Sequence, residues 1–234
     1  MPDDGLLERA PGSRLGRAAK RLFDLGFVFA ALPFCMPLVL AVVVAIRLES
    51  RGPVIYRAVR VGKNGRQFRL FKFRSMFQDA SGPGLTYAND PRITKVGRIL
   101  RRTKFDEFPQ VINVLRGQMS IVGPRPEAPE YVARYSPEQR QALSMRPGLT
   151  SLAQVAHRDE EDELPAQDTE AYYTEVIMPQ KLRIDVAYVD GWSIWLDLKI
   201  FAVGLAALFR THSLLGLDRI VESALGDDQA SPGS

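Results

Sequence analysis

The chain has 234 residues, 46% of them apolar, with 31 Lys and Arg against 27 Asp and Glu, a net charge of +4 and a pI near 9.3. A single cysteine, Cys35, excludes a disulfide framework, and His157 and His212 are too few and too isolated for a zinc site. No P-loop, Rossmann fingerprint or serine-nucleophile elbow is present, and the basic balance suits a protein lying against anionic lipid.

Residues 1–13 hold Pro, Gly and acids and are expected to be disordered. Leu25 to Ile46 then runs twenty-two residues without a charge, enough to cross a bilayer. Pro33 and Pro37 stand inside the run, and each removes a backbone donor and bends a helix. Arg14, Arg17, Lys20 and Arg21 precede it, and Arg47, Arg51, Arg57 and Arg60 follow. Positive charge favours the cytoplasmic side, so both ends want the same side. A straight span is the plain alternative. A helix that dips in, kinks at Pro33 and Pro37 and returns satisfies both ends, and residues 14–50 are read as such a re-entrant anchor. A cleaved signal peptide is disfavoured, because Arg47-Leu48-Glu49 follows where a small-residue exit site would stand.

Residues 51–211 form one compact domain by length. Two alternating segments, Pro53 to Val61 and Gln67 to Phe73, flank an Asn64-Gly65 pair, the strongest short hairpin signal. Residues 79–92 read as a surface loop. Ile93 to Lys104 reads as a basic helix, and Phe108 to Leu115 as a helix stopped by Arg116-Gly117. Gly123-Pro124-Arg125-Pro126 must be irregular. Ser136 to Leu143 is a short helix capped by Ser136, Asp159 to Glu163 an acidic loop, and Thr169 to Met178 a helix. Tyr188, Trp192 and Trp195 before the apolar Ile200 to Phe209 suit either the headgroup zone or a buried core helix. Residues 212–234 are expected to form a flexible tail. The predicted class is α+β: a re-entrant membrane helix hairpin, a small cytoplasmic domain of helices with a short β-hairpin, and interfacial amphipathic helices.

Asp106 and Glu107 are the central chemical candidates. They follow a tract holding Arg92, Lys95, Arg98, Arg101, Arg102 and Lys104. As a structural alternative, Asp106 caps the next helix and Glu107 sits in its first turn. So much positive charge is expected to hold a carboxylate ionised and to mark an anion's place. An ionised Asp beside a divalent metal can attack a phosphoryl group, and a neighbouring Glu can steer it or relay protons. Arg125, presented between prolines, fits bidentate phosphate recognition, or else an ion pair with Glu127 or Glu130. Lys72 and Arg74, placed by alternation on one face, are expected to point at the same anion or at a membrane.

Eight segments in register resemble a known family. They are Lys20-Arg21-Leu22-Phe23-Asp24, Arg60-Val61-Gly62, Lys72-Phe73-Arg74-Ser75-Met76 and Asp90-Pro91-Arg92-Ile93-Thr94 in the first half. Asp106-Glu107-Phe108-Pro109-Gln110, Asn113-Val114-Leu115, Met119 through Glu127 and Arg146-Pro147-Gly148-Leu149-Thr150 follow. From Lys20 to Arg210 the chain resembles bacterial sugar transferases, the monotopic phosphoglycosyl transferases, in their minimal form without a fused multi-span domain. The resemblance implies transfer of a sugar-1-phosphate from a nucleotide diphosphate sugar, usually UDP-linked, to a polyprenyl phosphate. It implies the cytoplasmic face of the bacterial inner membrane, Mg²⁺ held with the help of Asp106, and initiation of exopolysaccharide or similar glycoconjugates. It implies Asp106 as nucleophile of a covalent phosphosugar intermediate, Glu107 as its partner and Arg125 as phosphate ligand. Lys72 and Asp197 match further positions that the family needs.

The chain departs from the family pattern at Met36 before Pro37, at Ala58-Val59, at Ser151 and at Ala156-His157-Arg158. With Asp106-Glu107 and Pro124-Arg125-Pro126 intact, retained chemistry with an altered sugar or loop geometry is expected. The expected partners are a nucleotide sugar, a polyprenyl phosphate and the bilayer, with a second copy of the chain admissible and no nucleic acid. A nucleic-acid binder would use the same basic tracts, but the apolar run and paired carboxylates argue against it. A non-catalytic membrane scaffold of the same fold is the other alternative.

Overall fold

The computed structural model describes residues 13–78, 86, 90–157, 169–208 and 217–225. The expected disordered start (1–12), most of the 79–92 loop and the acidic run 159–163 lie outside them. The first element is one 36-residue helix, α1 (Arg14–Glu49), started by the Ser13 hydroxyl accepting from the Gly16 amide and helical through both prolines. It is long and apolar enough to cross a membrane, and only 11% of its apolar window is buried.

Both flanks of α1 are fixed to the same body. On the amino side, Lys20 bonds Asp197 and the Val122 carbonyl, and Asp24 accepts from the Ser120 hydroxyl and the Ile121 amide. The Arg21 guanidinium holds the carbonyls of Val114 and Leu115, and Val28 enters the main core. On the carboxyl side, Val42 and Ile46 pack into a second core, and Glu49 accepts from the amides of Lys95 and Val96. Between Val28 and Val42 no residue is buried, and Phe34 is 86% exposed. Those thirteen residues amount to about 20 Å of helix that is largely exposed, with Leu32 and Val39 resting against the two cores at its edges.

Strands β1 (Ile55–Val61) and β2 (Gln67–Phe73) form the predicted antiparallel hairpin, with Asn64 in the left-handed region at the turn. The register puts Lys72, Leu70 and Arg60 on one face and Arg57, Phe71 and Arg69 on the other. The basic helix is α2 (Lys95–Arg102), capped by the Thr94 hydroxyl. It starts against the strand end so closely that a Cβ on Gly97 would lie 2.0 Å from the Ser75 carbonyl oxygen. A 3₁₀ segment, Phe105–Gln110, leads into α3 (Val111–Leu115). Next come β3 (Ser120–Val122), α4 (Pro129–Val132), a 3₁₀ segment Gln139–Ser144, β4 (Gly148–Thr150) and α5 (Leu152–Ala156). Strands β3 and β4 pair in parallel as a second small sheet.

Helix α6 (Thr169–Tyr172) continues through one wide π turn, Tyr173–Ile177, into α7 (Met178–Asp190). Pro179 has no N–H to close an ordinary turn there. Helix α8 (Ile194–Leu208) follows. Its Ile200 and Val203 are buried in the main core, as is Tyr188, while Trp195 is 73% exposed. The two readings of this stretch therefore divide residue by residue: Tyr188 and Ile200 are core, and Trp195 faces out. One expectation is corrected. Residues 217–225, assigned to a flexible tail, include helix α9 (Asp218–Leu225), with Leu217 and Val221 buried in the main core.

Candidate active site

The Asp106-Glu107 pair is set by an aromatic stack. Phe73, Phe105 and Phe108 lie face to face, with ring centroids 6.2 and 5.1 Å apart. They pack into the same small core as Val42 and Ile46 of α1. Lys104 adopts a left-handed φ of 55° and turns the chain sharply into the 3₁₀ segment. Side chains 105 and 108 thereby anchor toward the root of α1, while Asp106 and Glu107 are held against β2, both buried.

Glu107 is the hub. Its Oε1 accepts from Lys72 Nζ at 2.8 Å and lies 3.4 Å from an Arg125 guanidinium nitrogen. Burial alone would raise its pKa, but Lys72 and Arg125 hold it well below the usual carboxylate range. Asp106 goes the other way. Burial and the Glu107 charge push its pKa up against the pull of Lys72, Arg101 and Lys104. The surrounding cations thus prevail over burial at Glu107 and only oppose it at Asp106. The two nearest cations neutralise Glu107 first, and desolvation governs Asp106.

Arg125 is positioned by its own backbone as well as its side chain. Its amide donates to Asp185 Oδ2 at 3.1 Å, and the Pro124 carbonyl accepts from the Gly148 amide. The loop crosses the β4 segment so tightly that a Cβ on Gly123 would meet the Arg146 carbonyl at 2.4 Å. Only glycine fits there. Glu127, one of the alternative partners for Arg125, is instead occupied by the Tyr173 hydroxyl at 2.5 Å and faces Lys181.

A 110 Å³ cavity opens beside Glu107, lined also by Lys72, Arg60, Gln110, Arg125, Glu127, Tyr173 and Lys181. Asp106 is not among the lining residues but is the chain neighbour of Glu107. Of the sequence candidates, the structure brings Asp106, Glu107, Lys72 and Arg125 together. Arg74 goes elsewhere: β2 ends at Phe73, and the Arg74 guanidinium turns back to the Ile46 and Ser50 carbonyls at the end of α1. It closes a helix terminus, and alternation does not carry it to the Lys72 side. Asp197 is also remote from the cavity. It is fully buried and bonded to Lys20, the Tyr188 hydroxyl and the Trp192 indole N–H.

Tyr173, Lys181 and Asp185 were missed by sequence reasoning. Their spacing of eight and four residues along one helix was a signal, since positions four apart share a face. Asp185 is deeply buried, with Oδ1 lacking any partner, and burial raises its pKa to about 7.

For a divalent metal, no cluster of three or more His, Cys, Asp or Glu exists among the described residues. Mg²⁺ is usually held by one or two carboxylates, substrate phosphates and water. A single buried carboxylate, Asp106, whose neighbour Glu107 lines an anion-sized cavity, fits that mode.

The family model for bacterial sugar transferases matches residues 15–211. The chain belongs to the bacterial sugar transferase family. The chain is 40% identical to the undecaprenyl-phosphate glucose phosphotransferase of Komagataeibacter xylinus, over 83% of this chain and 36% of that protein. It is 39% identical to the UDP-glucose:undecaprenyl-phosphate glucose-1-phosphate transferase of Caulobacter vibrioides, over 91% of this chain and 79% of that one. A third relative, at 40% identity, is the UDP-N-acetylgalactosamine-undecaprenyl-phosphate N-acetylgalactosaminephosphotransferase of Aeromonas hydrophila, with 77% of this chain and 41% of the relative covered. The chain thus spans between about a third and four fifths of these relatives' lengths. Their names carry two different sugars at similar identity, so likeness alone does not select the sugar.

Proposed function

We propose that this sugar transferase moves a sugar-1-phosphate from a UDP-sugar to undecaprenyl phosphate or a similar polyprenyl phosphate, through a covalent intermediate on Asp106. The observation that carries the reading is the buried Asp106-Glu107 pair, charge-balanced on Glu107 by Lys72 and Arg125. Its aromatic root is shared with the carboxyl flank of α1. Relatives whose names state this transfer support it.

A carboxylate oxygen of Asp106 attacks the sugar-bearing phosphorus. The bond from that phosphorus to the bridging oxygen breaks, and UMP leaves with the electron pair. An oxygen of the polyprenyl phosphate then attacks the same phosphorus, and Asp106 leaves as the free carboxylate. The product is a polyprenyl diphosphate sugar. Arg125 and Lys72 take the donor's phosphate oxygens when these enter the cavity, exchanging part of their contact with Glu107. Glu107 keeps both cations in place between turnovers and orients its neighbour. Asp106 would help to hold Mg²⁺, which would supply charge neutralisation on the pyrophosphate. Burial raises the pKa of Asp106 while Lys72, Arg101 and Lys104 pull it down, so cationic charge on this side favours the carboxylate form that attacks.

We also place α1 in the membrane as a re-entrant helix, bent in the region of Pro33 and Pro37, with the domain on the cytoplasmic face. Support comes from two flanks tied to one domain around an uncovered apolar middle. Basic residues at both ends agree. Such an enzyme would start assembly of a polysaccharide. The test is to incubate membranes containing the protein with a panel of radiolabelled UDP-sugars and extract the lipid. Label in a polyprenol fraction from one sugar supports the reading, and no label from any sugar favours a non-catalytic scaffold.

A further inference from the structure

The β1–β2 hairpin carries a second cationic cavity on the face opposite Lys72. It measures about 320 Å³ and is lined by Arg57, Arg69, Phe71, Arg116 and Gln118. The guanidinium carbons of Arg57 and Arg116 sit 5.9 and 5.1 Å from the Phe71 ring centroid, so one aromatic ring contacts both. No carboxylate lines the cavity, and the three guanidiniums make no hydrogen bond or ion pair among the described residues. Gln118 completes the donor set. Its Oε1 is occupied by Asn113 Nδ2 at 2.9 Å, which leaves its amide N–H groups to donate. Apart from the occupied Gln118 Oε1, the side-chain polar groups on the wall are donors, and three like charges share a cleft without a counter-charge. That arrangement calls for an anion that presents a pair of oxygens to the guanidinium donors.

The surroundings say which source of anion fits. Arg116 directly follows Leu115, whose carbonyl, with that of Val114, is held by Arg21 on the amino flank of α1. Ile112 and Leu115 on the same short helix are 38% and 37% exposed, and Val59, facing Arg69 in the register, is 47% exposed. Apolar side chains beside guanidiniums, at the root of an apolar helix, match the boundary between acyl chains and phosphate headgroups.

We propose that Arg57, Arg69, Arg116 and Gln118 form a phosphate site, separate from the Glu107 cavity, that holds the phosphodiester headgroup of an anionic membrane lipid. The site rests on the membrane placement of α1 and not on the chemistry at Asp106. It orients the domain on the bilayer surface without entering the reaction.

The test uses the full chain in neutral detergent micelles doped with phosphatidylglycerol or with phosphatidylcholine, read by native mass spectrometry. Wild type should retain phosphatidylglycerol, and R57Q/R69Q/R116Q should retain at least about tenfold less, with phosphatidylcholine retained by neither. Equal retention by the variant, or displacement of the lipid by millimolar inorganic phosphate, overturns the lipid site; the latter would show a site for free phosphate. Turnover of the triple variant with a UDP-sugar and short-chain polyprenyl phosphate in undoped micelles should stay within about twofold of wild type, since the two cavities lie on opposite faces. A large loss would put the pocket in the reaction path and overturn the proposal. Arginine-dependent lipid retention in a protein that turns over no sugar would instead sink the function at Asp106 and leave this site standing.

Discussion

Glu107 and Asp197 are both buried carboxylates paired with a lysine, and they teach opposite lessons. Lys72 and Glu107 meet at 2.8 Å with side chains 25% and 10% exposed; Lys20 and Asp197 meet at 2.5 Å with 9% and 0%. Asp197 is saturated by three side chains, and Lys20 is also bound to the Val122 carbonyl. Nothing is left over for a ligand. Glu107 shares one oxygen between Lys72 and Arg125, and all three line an open cavity. The first pair is a bolt that fastens α1 to α8; the second is a charge-balanced site whose cations can be lent to another anion. Residue type does not separate the two roles. Residual exposure and an adjoining open cavity do.

The largest expected effect breaks the comparison from the Asp106 side. Asp106→Asn should lower turnover by about four orders of magnitude or more, while leaving the urea midpoint of unfolding close to wild type. A fall in stability of similar weight would make Asp106 a structural cap. Next, the two lysines should give crossed results. Lys20→Met leaves Asp197 buried without its ion partner and should cost about 3–5 kcal/mol, read as a lowered urea midpoint. Lys72→Met should leave that midpoint nearly unchanged and reduce kcat/KM by at least about a hundredfold. The same response in both variants would erase the distinction between bolt and site.

A third prediction concerns pH. Asp185 is raised from 3.8 to about 7 in the folded protein, chiefly by burial. Between those values the folded state binds a proton that the unfolded chain has lost, so stability falls as pH rises from about 4 to about 7. Asp185→Asn should flatten that slope, gaining up to about 4 kcal/mol relative to wild type across the interval. Unfolding midpoints measured from pH 4 to 8 check it, and an unchanged slope would refute the assignment. The smallest effect is topological. With Cys35→Ser as background, cysteines placed at Ser13 and Ile55 should both be shielded from a periplasmic reagent. Pro37→Ala should expose the Ser13 site in a minority of molecules by favouring a straight crossing.

Much of this was legible beforehand because it is local. The hairpin was marked by Asn64-Gly65, and α2 by its basic tract. The cluster at residues 72, 106, 107 and 125 followed from residue chemistry and the family resemblance. The misreadings were long-range. Arg74 looked like a neighbour of Lys72 until its reach to the α1 carbonyls, 24 and 28 residues away, took it out of the strand's alternation. Asp197 looked like a ligand because its partner, Lys20, stands 177 residues distant. Asp185 was passed over because its role depends on burial, which a single sequence does not display.

The central claim is that Asp106 is a nucleophile and not the cap of a short helix. Intact-mass spectrometry of the purified protein with UDP-sugar and Mg²⁺, without lipid acceptor, tests it most directly. The account predicts a mass gain of one sugar-phosphate, UMP released in amounts no greater than enzyme, and loss of the adduct on adding polyprenyl phosphate. Asp106→Asn should show none of these. An adduct of the same mass on Asp106→Asn, or wild-type turnover with no adduct on any residue, would contradict it.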